Sequence, residues 1–266
     1  MPLNEHPEIN MEQVIANTSL SIVIPARNER HNIGKLLHLL ESEVPSSLKT
    51  EIIIADNSDA GDRTEEVVER FQSERPDLAI RLIRTEKGVS NARNSGAAVA
   101  RNEYILFLDA DARFTPGFIC KALFRMVCGN FDAAGFDFDP NTGHPADRVI
   151  MTVTNAFQNI VKHTSTPVCT AAALLVRKSV HEQTGGFDPA MTFGEDSDYV
   201  QRIARGGNKF GIIPERIIFD MSRFESMKRT TFIALHVQNA VHYVLTGKPS
   251  PQMIRAYRKD RNGNPF

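Results

Sequence analysis

Two carboxylates, Asp109 and Asp111, follow the apolar run of residues 105–108 and are separated only by Ala110. The run is typical of a buried strand, so both acids should lie where the chain leaves the core. Mg²⁺ and Mn²⁺ bind few protein carboxylates and complete their shells with water and phosphate oxygens. The pair is therefore a candidate site for a cation that holds a phosphate group. Taken alone, the triplet is short and also fits two solvated turn residues.

The elements that would position these acids are visible as alternating patterns. Strands are predicted over residues 19–26, 50–56, 78–85 and 103–109, and helices over 28–42, 62–74 and 90–102, with Ser90 starting the last helix. Strands and helices of this length form βαβ units, with a mostly parallel central sheet and helices on both faces. We therefore predict an α/β fold.

Polar residues follow three of these strands, at positions 25–29, 56–58 and 109–111. In open α/β sheets, ligands bind beyond the carboxyl ends of the strands. The three segments should therefore converge on one crevice. The first strand is followed by PARNER, which is neither a Gly-rich dinucleotide fingerprint nor a P-loop.

The second half of the chain is less regular. A strand is predicted over 131–140, an amphipathic helix over 147–163, and a strand, a short helix and a glycine turn over 167–189. A helix over 194–207 begins with acids, which favour the helix dipole, and a short strand follows over 209–215. No Pro- or Ser-rich linker divides the chain.

Composition excludes several classes of function. The 266 residues carry a formal net charge of −1, so no positive field indicates nucleic acid as a partner. Three cysteines without metal-binding spacing fit a reducing compartment. The N-terminus lacks a secretory pattern, and no run of about 18 apolar residues predicts a membrane span. We expect a cytoplasmic protein.

Five blocks of sequence, in order, carry a resemblance to a known family. They are SIVIPARNE, IIIADNSDAGD, GVSNARNSGAAVARNEYILFLDADARFTP, GGFDP and GEDSDYVQRIARGG. Together they resemble the inverting family 2 glycosyltransferases of the GT-A fold. The resemblance implies one GT-A domain over 19–225, with a Rossmann-like nucleotide-sugar-binding half (19–112) and an acceptor-binding, catalytic half (113–225). A flexible arm (1–18) and a C-terminal helix with a basic tail (226–266) would flank it.

The resemblance also assigns residues to a nucleotide-sugar donor. The first-strand motif, which lies against the nucleoside, is matched by Pro25, Ala26, Arg27 and Glu29. Asp56 matches the acid that contacts uracil and ribose, which favours a UDP-sugar, although similar motifs use GDP- or TDP-sugars. Otherwise, Asp56 is a turn cap. Lys87 and Arg93 match the approach to the nucleotide and diphosphate, with a surface role as the alternative for Lys87.

The family's metal motif is matched by Asp109, which would reach the ribose and sugar, and by Asp111, which would ligate the metal directly. Ala110 lies between them at the donor. The implied cofactor is Mg²⁺ or Mn²⁺. Many relatives complete the metal shell with a late histidine, whereas the matching segment IIFDMSRFE offers Asp220 instead. Either Asp220 or water takes that place, or the metal site is weaker.

Glu195 and Asp196 resemble the family's acidic pair on the acceptor side. An attacking hydroxyl must lose its proton, and a positioned carboxylate that accepts it contributes about 10²–10⁴-fold to the rate. Asp196 is the expected base and Glu195 the second candidate, whereas Asp198 faces elsewhere on the helix. Alternatively, these acids only stabilise the helix N-terminus.

Two other classes of function compete with sugar transfer. A sugar-phosphate nucleotidyltransferase has a similar open sheet, but it needs a Gly-rich phosphate loop that this chain lacks. A non-catalytic nucleotide-sugar-binding or scaffold protein would not need the acids jointly. The segment QRIARG lacks the tryptophan of the processive-synthase signature, and the chain contains no tryptophan, so we interpret it as ordinary helix surface. Because no membrane span is predicted, we do not expect polymer extrusion.

The C-terminal region predicts a further partner. Residues 247–266 contain five Lys or Arg and one Asp, and an apolar stripe precedes them, formed by Ile233, Val237, Ala240, Val241 and Val244. The stripe fits core or homodimer packing. Basic residues beside an apolar face also suit anionic lipids at the inner face of the cell membrane, or a lipid-linked acceptor. A sugar or a small-molecule acceptor stays open.

Overall fold

The structure is a computed structural model, and it describes residues 10–169, 172–191, 193–221, 229–246 and 248–257. The strands in these residues are β1 (Ser19–Ala26), β2 (Lys49–Asp56), β3 (Ile80–Arg84), β4 (Tyr104–Leu108), β5 (Ala133–Pro140), β6 (Ala173–Arg177) and β7 (Phe210–Phe219). The helices are α1 (Met11–Ala16), α2 (Ile33–Glu43), α3 (Thr64–Glu74), α4 (Val89–Val99), α5 (Phe118–Cys128), α6 (Pro145–Val161), α7 (Lys178–Thr184), α8 (Glu195–Arg205), α9 (Arg229–Thr246) and α10 (Pro251–Tyr257).

These strands form one sheet in the order β3-β2-β1-β4-β6-β5-β7. The pairs β1–β2, β1–β4, β2–β3 and β5–β7 are parallel, whereas β6 runs antiparallel to β4 and β5. The predicted α/β fold with a mostly parallel sheet is confirmed. Because β1 lies between β2 and β4, the carboxyl ends of these three strands meet at one edge of the sheet, where α/β folds bind ligands.

Both faces of the sheet are covered, as the side chains of β1 show. Ile22 and Ile24 pack on one face with α2, α3 and α5. Val23 packs on the opposite face, in the cluster that contains residues of α4, α7 and α8. Successive side chains of a strand point to opposite faces, and all three residues are completely buried. A strand covered on both faces reads as an unbroken apolar run.

Helix α4 lies unusually close to β1. A Cβ atom at Gly96 would lie 2.4 Å from Val23 Cγ1, so this crossing requires glycine. Ser90 and Ala97 are buried on the same helix. The close packing also buries Arg93, one turn before Gly96, and it fixes the position from which this arginine reaches the end of β4.

Three elements differ from the sequence prediction. Part of the predicted N-terminal arm is helical, because residues 11–16 form α1 and Ile15 is 3% exposed, while residues 1–9 lie outside the described residues. Helix α4 begins at Val89 rather than Ser90, since Gly88 adopts the positive φ of +114° at its N-cap. Strand β7 continues to Phe219 because it pairs with β5 along its length.

Candidate active site

Asp56 ends β2 beside Ala26 of β1 and is completely buried. Its Oδ1 accepts hydrogen bonds from the backbone N–H (3.0 Å) and the hydroxyl (2.5 Å) of Ser58. Arg84 Nη1 lies 2.6 Å from Oδ2 but outside hydrogen-bonding geometry. Asp56 Oδ2 is therefore a buried acceptor that has no hydrogen-bond partner among the described residues.

The residues after β1 and before α4 form a charged rim around this acid. Pro25 is half-buried and Ala26 is buried in β1, whereas the side chains of Arg27 and Lys87 are 54% and 70% exposed. Both cations contact Asp59, with Lys87 Nζ at 2.8 Å and Arg27 Nη2 at 3.5 Å. The hydrogen bond from Lys87 is the main reason why the pKa of Asp59 is lowered. Asp59 was not among the residues predicted from sequence, because no motif that we recognised assigns a role to this position.

Glu29 lies in the turn before α2 rather than on the exposed rim. Its Oε2 accepts a hydrogen bond from Asn32 Nδ2 (2.8 Å), and its N–H donates to Thr64 Oγ1 (2.8 Å). Its carbonyl accepts the N–H groups of Asn32 and Ile33, both at 2.9 Å. The structure therefore shows Glu29 ordering the turn that follows the first-strand motif.

Asp109 and Asp111 lie beyond the end of β4, as predicted. The Asp109 side chain is 36% exposed and Asp111 is exposed, whereas Ala110 between them is buried, so a small residue is required there. Asp109 Oδ1 accepts a hydrogen bond from Arg93 Nη2 (2.9 Å). Desolvation raises the pKa of Asp109, against the opposing effect of the Arg93 charge.

Arg93 joins the donor-side acids to helix α8. Its side chain is 4% exposed, and its two terminal nitrogens bond Asp109 Oδ1 at 2.9 Å and Glu195 Oε1 at 3.0 Å. Burial lowers the pKa of Arg93, but the charges of Asp109, Glu195 and Asp196 outweigh burial and raise it. The guanidinium therefore stays charged, and it lies 5.2 Å from the centre of the Phe187 ring.

Asn94 holds the glycine turn against Arg93. Its Nδ2 donates to Phe187 O (2.7 Å), and its Oδ1 accepts the Phe187 N–H (2.9 Å). Gly185 and Gly186 both have positive φ, and a Cβ at Gly186 would lie 2.5 Å from Asn94 Oδ1. The sequence prediction missed Asn94, although Asn94 directly follows Arg93 in the third block of the family resemblance, which begins with GVSNARN.

The three acids that begin α8 have different partners. Glu195, 14% exposed, is paired with Arg93. Asp198 is paired with Arg202 at 2.8 Å along the helix, in line with the prediction that it faces elsewhere. Asp196 is half-buried, and its Oδ1 accepts the N–H of Ser197 (2.7 Å). The structure thus brings Asp109, Glu195 and Asp196 close to the charge of one arginine.

The model of Glycosyl transferase family 2 matches residues 21–185 of this chain. The chain belongs to glycosyltransferase family 2. The matched range contains the donor-side residues from Pro25 to Asp111, and it ends before α8 begins.

Similar proteins are known in sequence and in structure. The chain is 26% identical over 194 residues to glycosyltransferase AglE of Haloferax volcanii, and the match covers 71% of this chain and 62% of AglE. The mannosyltransferase PcManGT from Pyrobaculum calidifontis, solved in complex with GDP-Man and Mn²⁺, has a TM-score of 0.62 at 20% identity, covering 88% of this chain and 66% of that one. S. aureus TarS 1–349 in complex with UDP-GlcNAc has a TM-score of 0.61 at 14% identity, covering 90% and 78%. These similarities show the GT-A fold.

The two acids that follow β4 fit a divalent cation. The exposed Asp111 side chain has no hydrogen bond or ion pair with the described residues, and Arg93 occupies only one oxygen of Asp109. Two carboxylates suffice for Mg²⁺ or Mn²⁺, which retain water and phosphate ligands. Within the described ranges, no three His, Cys, Asp or Glu side chains form a cluster that could hold an ion by themselves.

Asp220 follows β7 directly and lies within the segment IIFDMSRFE, which would supply a third metal ligand. Phe114 pairs antiparallel with Ile217, so the chain from β7 runs towards Asp111. Asp220 Oδ1 accepts a hydrogen bond from Asn141 Nδ2 (2.9 Å).

Proposed function

We propose that this chain is a metal-dependent, inverting glycosyltransferase that moves a sugar from a nucleotide-sugar, with a UDP-sugar as the first candidate, to an acceptor hydroxyl. The observation that carries the proposal is the bridge from Asp109 through Arg93 to Glu195, at 2.9 Å and 3.0 Å. Through Arg93, it links one acid that follows β4 to one acid that begins α8. Reaction at one centre needs this proximity.

The donor would lie in the crevice over β1, β2 and β4. The buried Oδ2 of Asp56 forms an ion pair with Arg84 but accepts no hydrogen bond from the described residues, so it would accept one from an N–H group of the base. Pro25 and Ala26 would form the apolar floor, and Arg27 and Lys87 the cationic rim. This placement supports a nucleotide whose base offers an N–H donor.

The diphosphate would lie near Asp109 and Asp111. A bound Mg²⁺ or Mn²⁺ would neutralise the negative charge that develops on the departing diphosphate. Asp111 offers an exposed carboxylate to the ion, while Asp109 shares its charge with Arg93. Arg93 itself, buried beneath these acids, would hold them in place rather than reach the phosphates.

Asp196 is the residue that we assign as general base. It would accept the proton of the acceptor hydroxyl as that oxygen attacks the anomeric carbon from the face opposite the nucleotide, which gives inversion in one displacement. Glu195 stays the second candidate. Its Oε1 forms an ion pair with the buried Arg93.

The donor could carry either of two nucleotides, and they can be distinguished experimentally. PcManGT was solved with GDP-Man and TarS with UDP-GlcNAc, so structurally similar proteins bind donors of both nucleotides. UDP-glucose, UDP-GlcNAc and GDP-mannose should therefore be tested together with Mn²⁺. Release of the nucleoside diphosphate and thermal stabilisation of the protein are the two measurements. Stabilisation by GDP-mannose alone would overturn the UDP assignment and leave the reaction class intact.

Asp196→Asn tests the reaction. We expect kcat to fall by about 10²–10⁴-fold, because the base is lost while the donor still binds. Asp198→Asn is the matched control, since Asp198 lies in the same helical turn and pairs with Arg202. We expect the donor with Mn²⁺ to stabilise the protein more than the donor alone, and Asp111→Asn should abolish this additional stabilisation. Near-normal turnover in Asp196→Asn would exclude this residue as the base.

The two competing classes of function predict different products when the same purified protein is assayed. A nucleotidyltransferase would release pyrophosphate from a nucleoside triphosphate and a sugar phosphate, which we do not expect. A non-catalytic binding protein would be stabilised by a nucleotide-sugar without releasing nucleoside diphosphate. Either result would refute sugar transfer.

We also propose that an apolar face of α6 and α9 contacts an anionic membrane that carries a lipid-linked acceptor. The two helices pack together, and their exposed aliphatic residues are Val149, Val153, Ile160, Val237, Val241 and Leu245. Residues 229–257 contain no Asp or Glu and three Lys or Arg, which suits anionic lipids. The side chains of Ile233, Ala240 and Val244 and the basic tail beyond residue 257 lie outside the described part of the structure.

Vesicle sedimentation tests this face. No helix in the described residues is long and apolar enough to cross a bilayer, so contact would be peripheral. We expect the protein to sediment with phosphatidylcholine–phosphatidylserine vesicles at low salt, and Val241→Asp to reduce that binding. Concentration-dependent dimerisation that Val241→Asp abolishes, without vesicle binding, would instead assign the face to a homodimer.

A further inference from the structure

The C-terminal helical pair, defined here as α9 and α10, packs against helix α8. Tyr243 on α9 is 3% exposed, whereas Val237, Val241 and Leu245 on the same helix are 51%, 56% and 77% exposed. Tyr243 therefore marks the face by which α9 is buried. Its hydroxyl reaches the turn of α8 that carries the catalytic acids.

A chain of hydrogen bonds runs through Tyr243. Arg205 Nη2 can only donate, and it lies 2.9 Å from Gln201 Oε1, so the Gln201 amide is oriented with Nε2 donating to Tyr243 Oη. Ser197 Oγ donates its single hydrogen to Cys169 O (3.2 Å). Burial raises the pKa of Tyr243 to about 12, so its hydroxyl proton is retained. The Tyr243 hydroxyl also interacts with the Ser197 hydroxyl, and this interaction lowers the pKa of Tyr243 against the larger effect of burial.

The residue before α8 is also covered by the C-terminal helical pair. Gly194 has a φ of +77°, and a Cβ there would contact Pro249 Cγ at 3.5 Å. Ser250, next to Pro249, is 1% exposed, so the connection between α9 and α10 is packed. Asp196 thus lies between two residues that face the C-terminal helical pair. Gly194 lies against Pro249, and Ser197 interacts with Tyr243.

We propose that Tyr243 is a positioning residue that orients Asp196 through Ser197. The inference rests on the proposed function, because it takes Asp196 as the base. Ser197 N–H donates to Asp196 Oδ1 (2.7 Å), so a displacement of Ser197 displaces the carboxylate. The family model ends at residue 185, so the C-terminal helical pair lies outside the part of the chain that the family motif covers.

Tyr243→Phe tests this role because it removes one hydroxyl and keeps the ring. Tyr104→Phe is the matched control: Tyr104 is 2% exposed, burial raises its pKa to about 12, and it begins β4 at the end opposite Asp109. Two quantities are measured in the full chain. One is nucleoside diphosphate release from UDP-GlcNAc and GDP-mannose with Mn²⁺ and water as the acceptor. The other is amide hydrogen exchange over residues 195–201.

In Tyr243→Phe we expect kcat to fall about 10–100-fold, because misplacing a reacting group is costly, while the donor KM changes by less than about twofold. Exchange over 195–201 should accelerate, since the start of α8 loses an anchor. Tyr104→Phe should retain the wild-type kcat and the wild-type exchange in this segment.

Three results would overturn the proposal: unchanged exchange over 195–201, faster exchange with an unchanged kcat, or a donor KM that rises as much as kcat falls. A wild type that releases no nucleoside diphosphate from any donor refutes the proposed function instead. In that case the exchange measurement alone still decides whether Tyr243 anchors α8.

Discussion

Replacement of Arg93 by methionine tests the ion bridge on which the site depends. The Arg93 side chain is 4% exposed and bonds Asp109 at 2.9 Å and Glu195 at 3.0 Å. Methionine keeps much of the length and apolar volume, so contact with Phe187 is largely retained while the charge is lost. Glu195, whose side chain is 14% exposed, then remains in the protein interior without its cation.

The size of the effect follows from burial. Removing one partner of a buried ion pair costs about 3–5 kcal/mol, because the remaining charge is uncompensated. The Asp109 side chain is 36% exposed and therefore screened by water, so the cost arises mainly at Glu195. We expect the free energy of unfolding to fall by about 3 kcal/mol, at the lower end of that range. At about 2–4 °C per kcal/mol for a chain of this size, Tm falls by about 6–12 °C.

Urea unfolding followed by circular dichroism measures this loss. Arg63→Met is the control, because the Arg63–Glu66 pair spans 3.9 Å with side chains 71% and 64% exposed, and such pairs contribute about 0–1 kcal/mol. Adding Glu195→Gln to Arg93→Met removes the unpaired charge and should recover about 1 kcal/mol or more. If Arg93→Met is as stable as Arg63→Met, or the second change recovers nothing, the ion bridge does not organise the site.

Two further predictions concern elements away from the crevice. Burial lowers the pKa of His181 from 6.5 to about 4, so stability present above the unfolded-state pKa is lost as the pH falls towards 4. Between pH 7 and pH 5, His181→Gln should therefore lose about 2 kcal/mol less than the wild type in parallel urea titrations, and equal losses would contradict this. Ile15→Ala should lower the free energy of unfolding by about 2–5 kcal/mol, because Ile15 is 3% exposed in the core. A flexible arm would leave the unfolding midpoint unchanged.

The donor half is predictable from sequence because its signals are local. Strands β1 and β2 contain the buried apolar runs of residues 22–24 and 52–55, and the polar residues that follow the two strands end the pattern sharply. Asp56 and Asp109 directly follow or end such runs, so their place at the sheet edge follows from the strand pattern. The crevice can therefore be predicted from the rule for ligand sites in parallel sheets, without knowledge of distant contacts.

The partners of Arg93 are not predictable in this way. An arginine on a helix is normally exposed, and its burial here depends on how closely Gly96 lets α4 approach β1. Its bond to Glu195 joins residues 102 positions apart. The antiparallel direction of β6 is likewise set by pairing with β4 and β5, which no pattern within β6 encodes. Non-local pairing, rather than local periodicity, decides these features.

The first turn of α8 is held from two sides. Arg93 binds Glu195 from the donor half, and Tyr243 binds Ser197 from the C-terminal helical pair. At 3.6 residues per turn, positions two apart project about 200° apart around a helix, so these anchors act on nearly opposite sides of α8. Asp196 lies between them in the same turn. Losing either one should therefore displace the carboxylate, and losing both should cost less than the sum of the separate losses in kcat, because the same displacement is made only once.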